Sequence, residues 1–248
     1  LYYARWVRRA PLVIVSLALV APPALAGPEA APAAKPGDRP TARPRPPAKP
    51  DAPAATPDGG APAPGARPVE RDDDLIDVTT VLPDAVLDLR YATADNFTGK
   101  PLYPVARCKL RRAVAARLVK AAQVLRAQDR RLLLWDCYRP SSIQYELWKR
   151  VPDPRYVADP KVGSKHGRGA AVDVALVDKA GKPVPLPTRF DDFTEAAHRD
   201  HALAGDPGAE ARRLEAAMTD AGFLPMPTEW WHFDAPDSAK YARSDEPL

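Results

Sequence analysis

Histidine is scarce in this chain, with four in 248 residues, and cysteine is scarcer, with two. Neither Cys108 nor Cys137 lies in a Cys-x-x-Cys spacing, which excludes them as zinc ligands of the usual thiolate kind. After Leu12–Val20 no apolar run is long enough to cross a bilayer, so a later membrane span is excluded. A basic run interleaved with aromatic residues is also missing. The net charge is only +4, and nucleic acid is therefore not an expected partner. No cysteine follows Ala24-Leu25-Ala26, which argues against a lipoprotein anchor.

What is present falls into three parts. Residues 1–26 read as a secretory signal peptide: Arg5, Arg8 and Arg9, then the short apolar stretch, then a small-residue cleavage site. Residues 27–70 are rich in Pro and Ala and offer almost nothing bulky to bury, which predicts a disordered linker. Residues 71–248 have the length of one domain. The expected location is the periplasm or the cell exterior, with no membrane span left after cleavage.

Within that domain, loose alternation predicts a strand over 75–81, ended by Pro83-Asp84, and a second over 86–91. Val114, Leu118, Ala121, Ala122 and Leu125 recur at helical spacing and predict a helix over 111–128. A strand is expected over 131–135, and a helix over 143–149 with Ser141 as its N-cap. Another strand is expected over 170–177. A further helix over 207–221 should be closed by Gly222, and a last strand covers 231–234. Strands and helices mix without strict alternation, which favours an α+β fold.

Two clusters carry the chemistry. In the first, Asp173 lies inside an apolar strand, which is costly unless it is paired or binds a cation. His166 precedes it across a Gly167-Arg168-Gly169 turn. In the second, Glu229 and His232 bracket Trp230 and Trp231. Two histidines and an aspartate suit a catalytic zinc with one open position, and Glu229 is the candidate proton acceptor. The tryptophans are expected to wall the site and raise the carboxylate's pKa. His198 and His201 read as solvated helix residues. Arg139 projects from a strand end, suited either to an oxyanion or to a structural ion pair. The two cysteines could close a disulfide in an exported protein or remain buried thiols.

Ser164-x-His166-x-x-Gly169-x-Ala171-x-Asp173 together with Glu229-x-Trp231-His232 resembles the zinc D-alanyl-D-alanine dipeptidase family, which includes the vancomycin-resistance dipeptidases. The likeness extends to the run from Tyr91 to Pro101, to Asp136-Cys137-Tyr138-Arg139-Pro140 and to Arg189-Phe190-Asp191. The zinc motifs alone are shared with D,D-carboxypeptidases and hedgehog-type domains. The resemblance implies a small, largely antiparallel central sheet flanked by helices. It implies one zinc held by His166, Asp173 and His232, with Glu229 as general base and then acid. Arg139 would steady the oxyanion, Ser164 the substrate's carboxylate end, and Tyr91 and Asp191 its ammonium. The implied substrate is a small D,D-dipeptide. Peptidoglycan stem peptides cleaved by a carboxypeptidase, or a non-catalytic wall-binding module, are the alternatives. At Cys137 the vancomycin-resistance members carry glycine, and a Cys108–Cys137 disulfide suited to an exported enzyme is expected.

Overall fold

The computed structural model describes residues 70–248, so the expected signal peptide and nearly all of the linker lie outside the described residues. Seven strands and four α-helices follow in chain order. They are β1 (Leu75–Asp77), β2 (Val86–Leu87), β3 (Lys109–Arg111), α1 (Arg112–Arg126), β4 (Arg130–Asp136), α2 (Ser141–Arg150), β5 (Ala171–Asp178), α3 (Arg199–Ala202), α4 (Ala209–Asp220), β6 (Leu224–Pro225) and β7 (His232–Asp234). The central sheet has five strands in the order β2-β4-β5-β7-β6. Only the β2–β4 pair is parallel. A separate antiparallel pair joins β1 to β3. The fold is α+β with a largely antiparallel sheet.

Helix α1 buries the stripe read from its periodicity, from Val114 to Leu125. It packs with α4 against β4 and β5. Strand β5 is buried from Ala171 to Val177. Burial on both faces explains why its sequence reads as a nearly continuous apolar run. Gly222 follows α4 at φ +89° and closes it as expected.

Several elements depart from the sequence expectation. β1 stops at Asp77 because that side chain accepts hydrogen bonds from Thr79 N (3.0 Å) and Thr79 Oγ1 (2.6 Å), capping a 3₁₀ turn. β2 pairs over two residues, and a 3₁₀ turn over Arg90–Ala92 then buries Tyr91. Ser141 is the first residue of α2 and does not cap it. Its Oγ donates to Ser244 O at 2.9 Å, while Asp245 Oδ1 accepts from Ser142 N at 2.8 Å. The cap comes from a residue distant in the chain. β3 and β6 are too short to show a period.

Cys108 and Cys137 form a disulfide with Cα atoms 5.2 Å apart. It ties the residue before β3 to the residue after β4, and both half-cystines are buried.

Candidate metal centre and active site

The antiparallel register of β5 and β7 sets Asp173 directly opposite His232. His166 comes from a 3₁₀ turn over His166–Arg168 just before β5. That turn ends at Gly169, with φ +65°. That left-handed backbone favours glycine, and a Cβ there would also press on the Leu75 side chain, 2.4 Å from its Cδ2. His166 Nε2 is 3.2 Å from His232 Nδ1 and 3.4 Å from Asp173 Oδ1, and His232 Nδ1 is 3.0 Å from that same oxygen. Donors bound tetrahedrally to zinc at about 2.0–2.1 Å stand roughly 3.3–3.4 Å from one another. The three donors therefore fit one zinc ion. Among the described residues, no other group of three or more His, Cys, Asp or Glu converges in this way.

Each imidazole is oriented through its far nitrogen. His166 Nδ1 donates to Cys137 O at 2.7 Å, leaving the Nε2 lone pair for the site. His232 Nε2 donates to Asp234 Oδ1 at 2.9 Å, leaving Nδ1. Asp234 Oδ2 in turn meets Lys165 Nζ at 2.6 Å. Burial opposes ionisation of Asp173, yet the two histidines hold its carboxyl well below the usual range. Burial also disfavours a charged His232, but the hydrogen bonds to Asp173 and Asp234 outweigh it and lift the imidazole to about 10. A divalent cation at Nδ1 would take the place of that proton.

Glu229 is 7% exposed, with Oε2 3.8 Å from His232 Nδ1. Burial raises its carboxyl to about 7, against the pull of His232 and with a push from Asp173. The tryptophans do not wall this site as expected. Trp230 and Trp231 are fully buried and pack on each other and on Trp135 at ring separations of 5.7–6.4 Å, and Trp231 also meets Phe190 at 5.7 Å. Tyr156, Phe193 and Met226 are among the apolar walls of the cavity instead. Both tryptophans lie in the turn that leads into β7, and both face the core, which no local period in the sequence announces.

Of the two roles left open for Arg139, the structure shows the ion pair. Its Nε and Nη2 donate to Asp136 Oδ2 at 2.9 and 2.6 Å, and its Nη1 donates to Gln144 Oε1 at 2.8 Å. Its guanidinium also lies 5.1 Å over the Tyr91 ring and lines the cavity, with Nη2 4.0 Å from Asp173 Oδ2. Tyr103 donates to the other oxygen of Asp136 at 2.6 Å. Sequence reasoning missed Asp136, Tyr103 and Gln144 as the holders of Arg139, and Asp234 as the holder of His232. A signal existed only for Asp234: it follows His232 by two residues on a strand, hence on the same face.

Tyr91 OH donates to Asp191 Oδ1 at 3.2 Å. Asp191 Oδ2 is out of solvent and has no hydrogen-bond partner. Burial, with Asp173 and Glu229 nearby, raises its carboxyl well above the usual range. Its backbone sits at φ +56°, uncommon for a residue with a Cβ. Ser164 lines the same cavity and accepts from His166 N at 3.2 Å. The cavity, of about 170 Å³, thus contains all eight residues singled out from the sequence. His201 is exposed beside Asp200, and neither His198 nor His201 reaches the centre.

Comparison with known proteins shows the family. Residues 71–246 match the model of the family described as D-Ala-D-Ala dipeptidase. The D-alanyl-D-alanine dipeptidase of Escherichia coli is 39% identical over 170 residues, 68% of this chain and 88% of that protein. The protein of that name from Enterococcus faecium is 35% identical over 170 residues, covering 59% and 83% of the two chains. That from Streptomyces coelicolor is 36% identical over 173 residues, again 59% and 83%. The match spans the β5–β7 ladder, the His166 turn and the Arg139 corner together, and the chain belongs to the D-Ala-D-Ala dipeptidase family.

Proposed function

We propose that this chain is an exported zinc-dependent dipeptidase that hydrolyses D-Ala-D-Ala, or a close D,D-dipeptide, to free amino acids. The observation that carries this reading is the unpartnered, buried Asp191 Oδ2 in the same small cavity as the His166–Asp173–His232 donor set. Zinc held by those three residues would polarise the scissile carbonyl and acidify a water. Glu229, with its carboxyl near neutrality, takes the proton of the attacking water and passes it to the leaving amine. Arg139 is clamped by Asp136 and Gln144, so its guanidinium meets the developing oxyanion without first reorganising. Asp191 and Tyr91 receive the substrate's ammonium, and Ser164 its carboxylate end.

An ammonium-binding carboxylate favours a free dipeptide over a peptidoglycan stem, because an acylated nitrogen would leave Asp191 Oδ2 out of solvent without a partner. The test is hydrolysis of D-Ala-D-Ala, N-acetyl-D-Ala-D-Ala and a stem pentapeptide by the zinc-loaded chain, with and without a chelator. The free dipeptide should be cleaved far faster, and only with metal. Equal rates on the pentapeptide would establish a carboxypeptidase instead. Full activity after complete metal removal would end the zinc reading.

A further inference from the structure

Strand β7 places His232 and Asp234 on one face, while Phe233 between them is fully buried. Asp234 is itself 8% exposed and lines the cavity. One of its oxygens accepts from His232 Nε2 and the other meets Lys165 Nζ. Lys165 immediately precedes His166, so the loop that presents one candidate ligand also braces the support of the other. An imidazole can offer a lone pair from only one nitrogen at a time, and the acceptor at its far nitrogen decides which. His166 is held by a neutral carbonyl, that of Cys137, whereas His232 is held by a carboxylate.

The geometry points to Asp234 as the positioning residue that fixes His232 as an Nδ1 donor, with Lys165 anchoring the carboxylate. This inference rests on the zinc reading above. The Nε2–H···Oδ1 bond selects the tautomer, sets the rotation of the ring and makes Nδ1 a stronger donor. The Lys165 ion pair ties the second oxygen of Asp234 and so fixes the orientation of the carboxylate against the imidazole.

The experiment is a zinc titration of the metal-free chain against a chromophoric chelator, for wild type, Asp234→Ala and Asp234→Asn. Asp234→Ala should weaken zinc binding by about 10–100-fold. Asp234→Asn keeps an oxygen that accepts from Nε2–H and should recover most of that loss. Wild-type affinity in Asp234→Ala overturns the inference, and so does an Asp234→Asn protein as weak as the alanine variant. If the alanine variant does not fold, nitrogen–proton correlation spectra of the zinc-loaded wild type decide the matter. A ring proton on His232 Nε2 supports the assignment, and a proton on Nδ1 refutes it. Failure of the wild type to bind stoichiometric zinc would instead sink the metal reading itself.

Discussion

Replacing both half-cystines, as Cys108→Ala with Cys137→Ala, should destabilise the domain by an amount the structure allows to be worked out. The bond joins positions 29 residues apart. Closing a loop of that size removes chain entropy worth about 3–4 kcal/mol from the unfolded state. Both sulfur atoms lie at residues no more than 1% exposed, so their loss leaves small voids worth roughly another 1 kcal/mol. A total of about 4–5 kcal/mol corresponds to a fall in Tm of roughly 10–20 °C for a domain of this length. Thermal and urea melts of the metal-free proteins measure it, and the double variant avoids stranding a lone buried thiol. A Tm within about 2 °C of wild type would refute the loop-entropy argument. Labelling of both thiols in unreduced, denatured wild-type protein would refute the bond itself.

Glu229→Gln should retain zinc and lose turnover by about 10²–10⁴-fold, because an amide cannot accept the water's proton; stopped-flow rates near wild type on a zinc-loaded sample would remove Glu229 from its role. Asp191→Ala should slow D-Ala-D-Ala by roughly 10-fold or more while changing the N-acetyl form little, since only the free ammonium uses that carboxylate; equal losses on both substrates would contradict it. In the metal-free protein, the Glu229 carboxyl lies above its ordinary 4.5, at about 7, so the folded state binds the proton more tightly. Its contribution, up to about 3 kcal/mol, is fully present below pH 4.5 and lost as the pH rises through 7. Urea midpoints should therefore fall across that window, and Glu229→Gln should flatten the fall; an unchanged slope in the variant would count against the buried-carboxyl account.

The four residues His166, Asp173, Glu229 and His232 stand out in the chain itself. Histidine is rare there, and an ionisable group inside an apolar strand needs a partner. Helix α1 and strand β5 were equally legible, because their burial is written as a local period or a continuous apolar run. Those signals extend over a few residues, and the remainder of the site is built across long separations. Asp173 meets His232 through strand register, and Tyr91 meets Asp191 across 100 residues. The α2 cap is supplied by Asp245, 103 residues from the amide it accepts. Trp230 and Trp231 show the same limit, since both lie in the turn before β7 and their burial comes from packing against Trp135, which is distant in the chain. The kinds of side chain needed for metal and proton chemistry were thus determined by the sequence alone. Which of their atoms face one another, and which carboxylates and carbonyls hold them there, was decided only by packing of the sheet, because hydrogen-bond geometry between distant segments follows from chain closure.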